Sequence, residues 1–164
     1  MNKKIEKAFN DQINEELFSY YLYLSMSAWF STKNFEGFAA WMKAQAKEEM
    51  VHAMKFFDHI QERGGTVKLQ PIKGPKTEWK SPLEAFQESL KHEKHITGCI
   101  EKLVKLSMAE NDFASNSMLN WFIDEQVEEE ASVGLMVEHM KMVSDSTGAL
   151  FMMDREAGKR GAAK

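Results

Sequence analysis

The chain has 164 residues, 43% hydrophobic and 28% charged, with a net charge of −4 and one cysteine, Cys99. That is the size and balance of one globular domain with a substantial core. It excludes an internal disulfide and any cysteine-built zinc or rubredoxin-type centre, and the lack of a basic stripe argues against nucleic acid as a partner. The opening MNKKIEKAFNDQINEE is too charged for a secretory signal, and no apolar run approaches the roughly 18 residues of a membrane span. A cytoplasmic protein with no membrane partner is expected. Two of the three Pro and three of the nine Gly fall within Gly64 to Ser81, leaving long uninterrupted stretches on either side and favouring an all-α fold.

The first helix is expected over 2–32, with the core-facing series Phe9, Ile13, Glu16, Tyr20, Tyr23, Ser27, Phe30 in steps of three and four. After a break at Lys33-Asn34, a second helix spans 35–63, and so short a link makes an antiparallel hairpin. Its stripe is Phe38, Met42, Gln45, Glu49, His52, Phe56. Glu49 and His52 lie one turn apart on the inward face, and Glu-x-x-His there is a metal-ligand spacing. Gly64-Gly65 marks the C-cap.

From Gly64 to Ser81 no helical period exists, although Val67 and Leu69 suit a short extended piece. A helix of about 28 residues spans roughly 42 Å. The link, if extended, reaches roughly 59 Å. It can therefore run the length of a bundle and start the third helix at the opposite end. Ser81-Pro82-Leu83-Glu84 supplies an N-cap, a Pro at N1 and a Glu at N3 in capping-box order, opening a helix over 82–110. The third stripe is Phe86, Leu90, Glu93, Thr97, Ile100, Val104. Asp112 can cap a fourth helix over 112–144, whose stripe is Leu119, Phe122, Gln126, Glu129, Val133, Met136, Met140, Val143. A short fifth helix is expected over 148–157, and 158–164, rich in Gly and Lys, reads as a disordered tail. All of 1–164 is read as a single domain.

Each long stripe is thus interrupted by ligand-type residues, and their heights match. With the first turn at residue 33, Glu16 lies 17 residues before it and Glu49 16 after; with the second at 111, Glu93 and Glu129 each lie 18 away. In an antiparallel hairpin, equal distance from the turn means equal height. Keeping one Glu protonated at pH 7 costs about 3.7 kcal/mol from a free pKa of about 4.3. Four would cost about 15 kcal/mol, the whole stability of an ordinary domain, and leaving them ionised and dry is worse. Either water enters or divalent cations neutralise the layer. Four carboxylates and one imidazole can hold two metal ions with a shared carboxylate, and so oxygen-rich a set suits iron or manganese. The rival reading is a plain bundle with a structural or scaffold role, whose Glu side chains reach solvent; four interruptions at matched heights count against it.

The segments NEELFSYYLY (14–23), AKEEMVHAMKFFD (46–58), RGG (63–65), KHEK (91–94) and NWFIDEQVEEE (120–130) carry a family resemblance. In them, and over essentially its full length, the chain resembles the non-haem bacterial and archaeal ferritins. The resemblance implies a ferritin-like four-helix bundle with one long crossover between the second and third helices. It implies one iron held by Glu16, Glu49 and His52, and a second by Glu49, Glu93 and Glu129 with Gln126 nearby, Glu49 bridging them. It further implies a third iron site on Glu48, Glu125, Glu128 and Glu129, with Tyr23 and Trp121 beside the centre. The implied activity is a ferroxidase: oxidation of Fe(II) by O2 or H2O2 and storage of ferric mineral in a cage of twenty-four subunits.

The sequence departs from the two-fold Glu-x-x-His scheme of ferritin-like carboxylate proteins at Gln126-x-x-Glu129. That resembles ordinary ferritins and differs from bacterioferritins, which keep a second His. Met50 stands where bacterioferritins carry a haem-ligating Met, but the missing His motif counts against a haem cage. A rubrerythrin-type peroxidase would need a cysteine-rich domain, and a miniature DNA-protecting cage lacks this Glu/Glu-x-x-His pair within its helices. His59, His92, His95 and His139 are expected at the surface, and Cys99 as an inert thiol near the core.

Overall fold

The computed structural model describes residues 1–143 and 146–162. Five helices follow one another: α1 (Lys3–Thr32), α2 (Glu36–Glu62), α3 (Pro82–Ala109), α4 (Phe113–Val143) and α5 (Thr147–Ala162). α1 pairs with α2 and α3 with α4, and α5 packs mainly on α2. The expected all-α four-helix bundle with a fifth helix is therefore the fold. The last residue of the expected fourth helix, Ser144, and the final two tail residues, 163 and 164, lie outside the described residues. The remainder of the expected tail is helical: α5 continues past residue 157 through Ala162.

The helix ends explain themselves locally. Asn2 caps α1 by accepting from the Lys4 and Ile5 amides. Ser81 caps α3 through the Glu84 amide, but the Glu84 carboxylate accepts from the Lys80 amide, one residue before the cap, so the box is displaced by one position. Asp112 accepts from the Ser115 amide, as expected of a cap for α4. α1, α2 and α3 share one terminator. Asn34, Gly64 and Asn111 adopt positive φ (62°, 66° and 54°), and the next residue's amide bonds back to Phe30, Ile60 and Ser107 respectively. This is the left-handed C-cap, built twice with Asn, the residue type after Gly that best tolerates it.

The crossover has no strand at Val67 or Leu69. It is laid along α1 by side chains of α1. Asn10 donates to the Thr66 carbonyl at 3.0 Å, Asn14 to the Pro71 carbonyl at 3.2 Å and Ser25 to the Lys76 carbonyl at 2.7 Å. Trp79, 6% exposed, ends the run against Trp29. The anchors climb α1 in order, so the link runs the length of the bundle as its reach predicts.

The core is two apolar clusters. One gathers Tyr23, Met26, Phe30, Phe38, Met42, Phe86 and Val133; the other gathers Ile5, Phe9, Ile13, Phe56, Ile60, Ile96, Ile100, Leu119 and Phe122. In every long helix the polar interruption lies in sequence between members of the two. The third stripe needs correction on one edge: Ser89, Ile96 and Leu103 are buried, while Leu90, Thr97 and Val104 are half-buried. The helix is rotated so that the i+3 member of each step, not the i+4 member, faces inward.

α5 closes the N-terminal end of α2. Phe35 offers that end no side-chain cap. The Asp154 carboxylate does so instead, accepting from the Phe38 amide at 2.8 Å. A Cβ on Gly37 would fall 1.7 Å from the Asp154 carbonyl oxygen, so only glycine admits this approach. Asp154→Ala is expected to lower unfolding stability by about 1–2 kcal/mol, and Gly37→Ala to displace α5 altogether. Thermal unfolding with near-ultraviolet circular dichroism checks both; a wild-type melting profile for Gly37→Ala would contradict this packing.

Candidate metal centre

Between the two clusters lies a layer of buried polar side chains. Glu16, Gln45, Glu49, His52, Glu93, Gln126 and Glu129 are each no more than 4% exposed. Glu16, Glu49 and His52 each aim one ligand atom at a common region, with all three atoms within 4.8 Å of one another. His52, Glu125 and Glu129 form a second such group, sharing the imidazole. His52 Nδ1 lies 3.1 Å from Glu49 Oε2 and Nε2 lies 3.8 Å from Glu125 Oε1, so each ring nitrogen faces a carboxylate.

Amide side chains fix the carboxylates. Gln45 donates to Glu49 at 3.0 Å and to Glu129 at 2.7 Å, bridging α2 and α4. Gln12 donates to Glu16 at 2.9 Å. Gln126 donates to Glu93 at 3.2 Å, and the Tyr23 hydroxyl donates to the other oxygen of the same carboxylate. Glu93 is thus held slightly apart, tied to Tyr23 and Gln126, and joins neither three-residue group among the described residues. Glu16 Oε2 is buried with no hydrogen-bond partner, which costs about 1–3 kcal/mol unless something positive meets it.

Burial, reinforced by neighbouring carboxylates, pushes these groups up. Glu49 is raised by burial to about 7, Glu93 to about 8 by burial and then the Glu49 charge, and Glu129 to about 8 by burial and then the Glu93 and Glu49 charges. Glu16 is driven well above the carboxylate range by burial and the Glu49 charge. Burial lowers His52 despite the surrounding carboxylates, so its imidazole is kept as a neutral ligand. The Tyr23 phenol is held firmly protonated by burial and by Glu93.

A second, more open pocket of about 360 Å³ adjoins this layer, lined by Glu48, Glu125, Glu128, Glu129, Ser132 and Arg160. Glu48, Glu125, Glu128 and Glu129 thus line one pocket together. Arg160 falls in the stretch 158–164 expected to be a disordered tail. It reaches in from α5, pairs with Glu48 at 2.7 Å, and lies 4.3 Å above the Trp41 ring. No stripe or motif signals it, since its role depends on where α5 docks. Gln12 and Gln45 were also given no role; Gln12 stands four residues before Glu16, a spacing at which helical side chains meet. Trp121 packs edge-on to His52 with ring centroids 5.5 Å apart, and Lys55 Nζ lies over the Trp121 ring at 4.0 Å. Two histidines expected at the surface are half-buried. His92 bonds Ser19 at 2.7 Å and is pushed by burial down to about 4, and His59 bonds Ser115.

A four-helix bundle with carboxylates and a Glu-x-x-His motif aimed into its centre defines the class of carboxylate-rich metal bundles. Residues 6–143 match the Ferritin-like domain family, and the chain belongs to the ferritin family. It is 41% identical over 160 residues to a bacterial non-heme ferritin of Bacteroides fragilis, covering 98% of this chain and 99% of that one. It is 36% identical to a bacterial non-heme ferritin of Staphylococcus aureus, covering 98% and 96%. Among solved structures, an open pore ferritin from the hyperthermophilic archaeon Archaeoglobus fulgidus superposes with a TM-score of 0.95 at 44% identity, over 96% of this chain and 98% of that one. A closed form of that ferritin, engineered by mutagenesis, gives the same score and identity.

The raised carboxylates set a pH dependence. Glu49, Glu93 and Glu129 hold protons more tightly folded than at their ordinary value of 4.5. The folded state therefore binds more protons, and the stability they lend is complete below that value and lost as pH rises through 7 and 8. The melting temperature of metal-free protein should fall between about pH 5.5 and about pH 9, and a saturating divalent cation should flatten the decline. A metal-free melting temperature that rises across this range would contradict the assignment.

Proposed function

We propose that each subunit is a ferroxidase that oxidises Fe(II) at a dinuclear site and passes Fe(III) to a store inside a shell of like subunits. The observation that carries this reading is the buried layer of four carboxylates and one neutral imidazole, with Glu16 Oε2 unmatched by any donor. The first iron would be held by Glu16, Glu49 and His52. The second would be held by Glu49, Glu93 and Glu129, with Gln126 orienting Glu93. Two Fe(II) give one electron each; O2 takes both with two protons and leaves as H2O2, or H2O2 takes both with two protons and leaves as two waters. The protein's part is to place both irons where one oxidant meets them. Tyr23 keeps the proton it donates to Glu93 and so fixes that ligand's orientation.

Glu48, Glu125, Glu128 and Glu129 would take a third iron on its way out of the centre. Arg160 is then a resident cation among them, and α5 docking competes with iron there. Assembly is supported by the apolar side chains that this subunit leaves open: Phe113, Val127, Met142 and Met152 are 79%, 69%, 80% and 62% exposed. A cage of twenty-four subunits, with iron and O2 or H2O2 as its small-molecule partners, is the reading we adopt. Among the described residues no helix is long and apolar enough to cross a membrane. A cytoplasmic location is part of the same proposal.

Anaerobic protein loaded with Fe(II) and then exposed to air should oxidise it far faster than buffer. Glu49→Ala and His52→Ala should assemble normally yet slow the initial rate by at least about tenfold; unchanged rates would refute the site. Arg160→Ala should bind one further Zn2+ per subunit than wild type in equilibrium dialysis. Identical stoichiometry and affinity would show that Arg160 does not compete for the third site. Size-exclusion chromatography with light scattering tests the shell, and a stable monomer at micromolar concentration would rule it out.

A further inference from the structure

A second group of ligand-type side chains lies away from the buried centre, where α1 meets α3. Glu15 Oε2 is 3.0 Å from His95 Nε2, and Cys99 Sγ is 3.7 Å from that same nitrogen. All three ligand atoms lie within 4.8 Å of one another. His95 and Cys99 stand one turn apart on α3, so they share a face. Glu15 adjoins Glu16 on α1; while Glu16 is buried in the centre, Glu15 bonds outward across to α3. Glu15 and Cys99 are half-buried and His95 is exposed, which leaves the group open to solvent from one side.

The arrangement is over-committed as a set of hydrogen bonds. Nε2 of a neutral imidazole is either a donor or an acceptor. Donating to Glu15, it has no lone pair for the thiol; accepting from Cys99, it has no proton for the carboxylate. One cation between the three serves them all. A zinc ion about 2.05 Å from nitrogen and about 2.3 Å from sulfur at a tetrahedral angle sets them about 3.6 Å apart, and a carboxylate oxygen about 3.3 Å from the nitrogen. The observed 3.7 and 3.0 Å differ from these by a few tenths of an ångström.

We propose that Glu15, His95 and Cys99 form an outer site for one zinc-class divalent cation, which ties α1 to α3. Thiolate, imidazole and carboxylate are together a zinc or cobalt donor set, softer than the oxygen-rich inner layer. Water completes the fourth position. Burial and then the Glu15 charge keep the thiol protonated in the free protein; on binding, the sulfur–hydrogen bond gives way to a sulfur–metal bond and the proton passes to buffer. No redox step is involved, and the site stands independently of the iron reading.

Cobalt titration of the full-length, metal-free protein under anaerobic conditions tests the proposal. Co2+ bound through sulfur gives a thiolate charge-transfer band in the near ultraviolet, and the inner layer, having no sulfur, gives none. Wild type should develop this band to one Co2+ per subunit, and Zn2+ should abolish it. Cys99→Ser should lack the band, and His95→Ala and Glu15→Gln should each weaken binding by about tenfold or more. No thiolate band in wild type would overturn the proposal. So would a band that survives in His95→Ala with unchanged affinity, since that would be a single thiol binding cobalt alone.

Discussion

The structure depends on the tolerance of four carboxylates in a layer where water is scarce. Hydrophobic burial assembles the two apolar clusters above and below, and no comparable gain is available to the layer itself. Isolated, such groups would consume the stability the clusters provide. They are tolerated through partial protonation, through amide donors from Gln12, Gln45 and Gln126, and, on the reading argued above, through metal ions. Protonation is the weak substitute: it satisfies charge but leaves Glu16 Oε2 without a partner. A centre that is tolerable when protonated and better satisfied by cations is suited to repeated loading and emptying.

The same reasoning links the fifth helix to the centre. α5 is fixed by the Gly37 contact and by the Asp154 cap, and its end carries Arg160 into the neighbouring acidic pocket. The acidic wall is therefore not simply open to solvent. It is partly neutralised by a side chain that arrives with the docking of a separate helix, so the packing of α5 and the electrostatics of this pocket are one problem.

Much of this was legible in the sequence because two periodicities carried it. Steps of three and four named the buried faces, and equal distances from the turns set Glu16 level with Glu49 and Glu93 level with Glu129. The link between Gly64 and Ser81 is long enough to run the length of the bundle, which permits the observed connectivity without requiring it. What was not legible depended on tertiary placement. The rotation of α3 that buries Ser89 and Ile96 in place of Leu90 and Thr97 is set by neighbours on both sides, and apolar spacing permits either edge. His92 looked like a surface residue until Ser19 and α1 covered it. Arg160 sits in a run of small and basic residues with no apolar stripe, which local reasoning assigns to a tail, and only the docking of α5 gives it a role.

The central claim is that cations replace protons in the buried layer. Proton release on anaerobic Fe(II) binding, followed at pH 7 by titration in weakly buffered solution, tests it most directly. Cys99→Ser protein should be used so that the outer thiol contributes nothing. With Glu93 and Glu129 near 8 and Glu49 near 7 when empty, filling the centre should expel at least one proton per subunit, and progressively fewer as the starting pH is raised. Tight Fe(II) binding with no proton release at pH 7 would mean that the carboxylates were already ionised without metal, and would contradict the account.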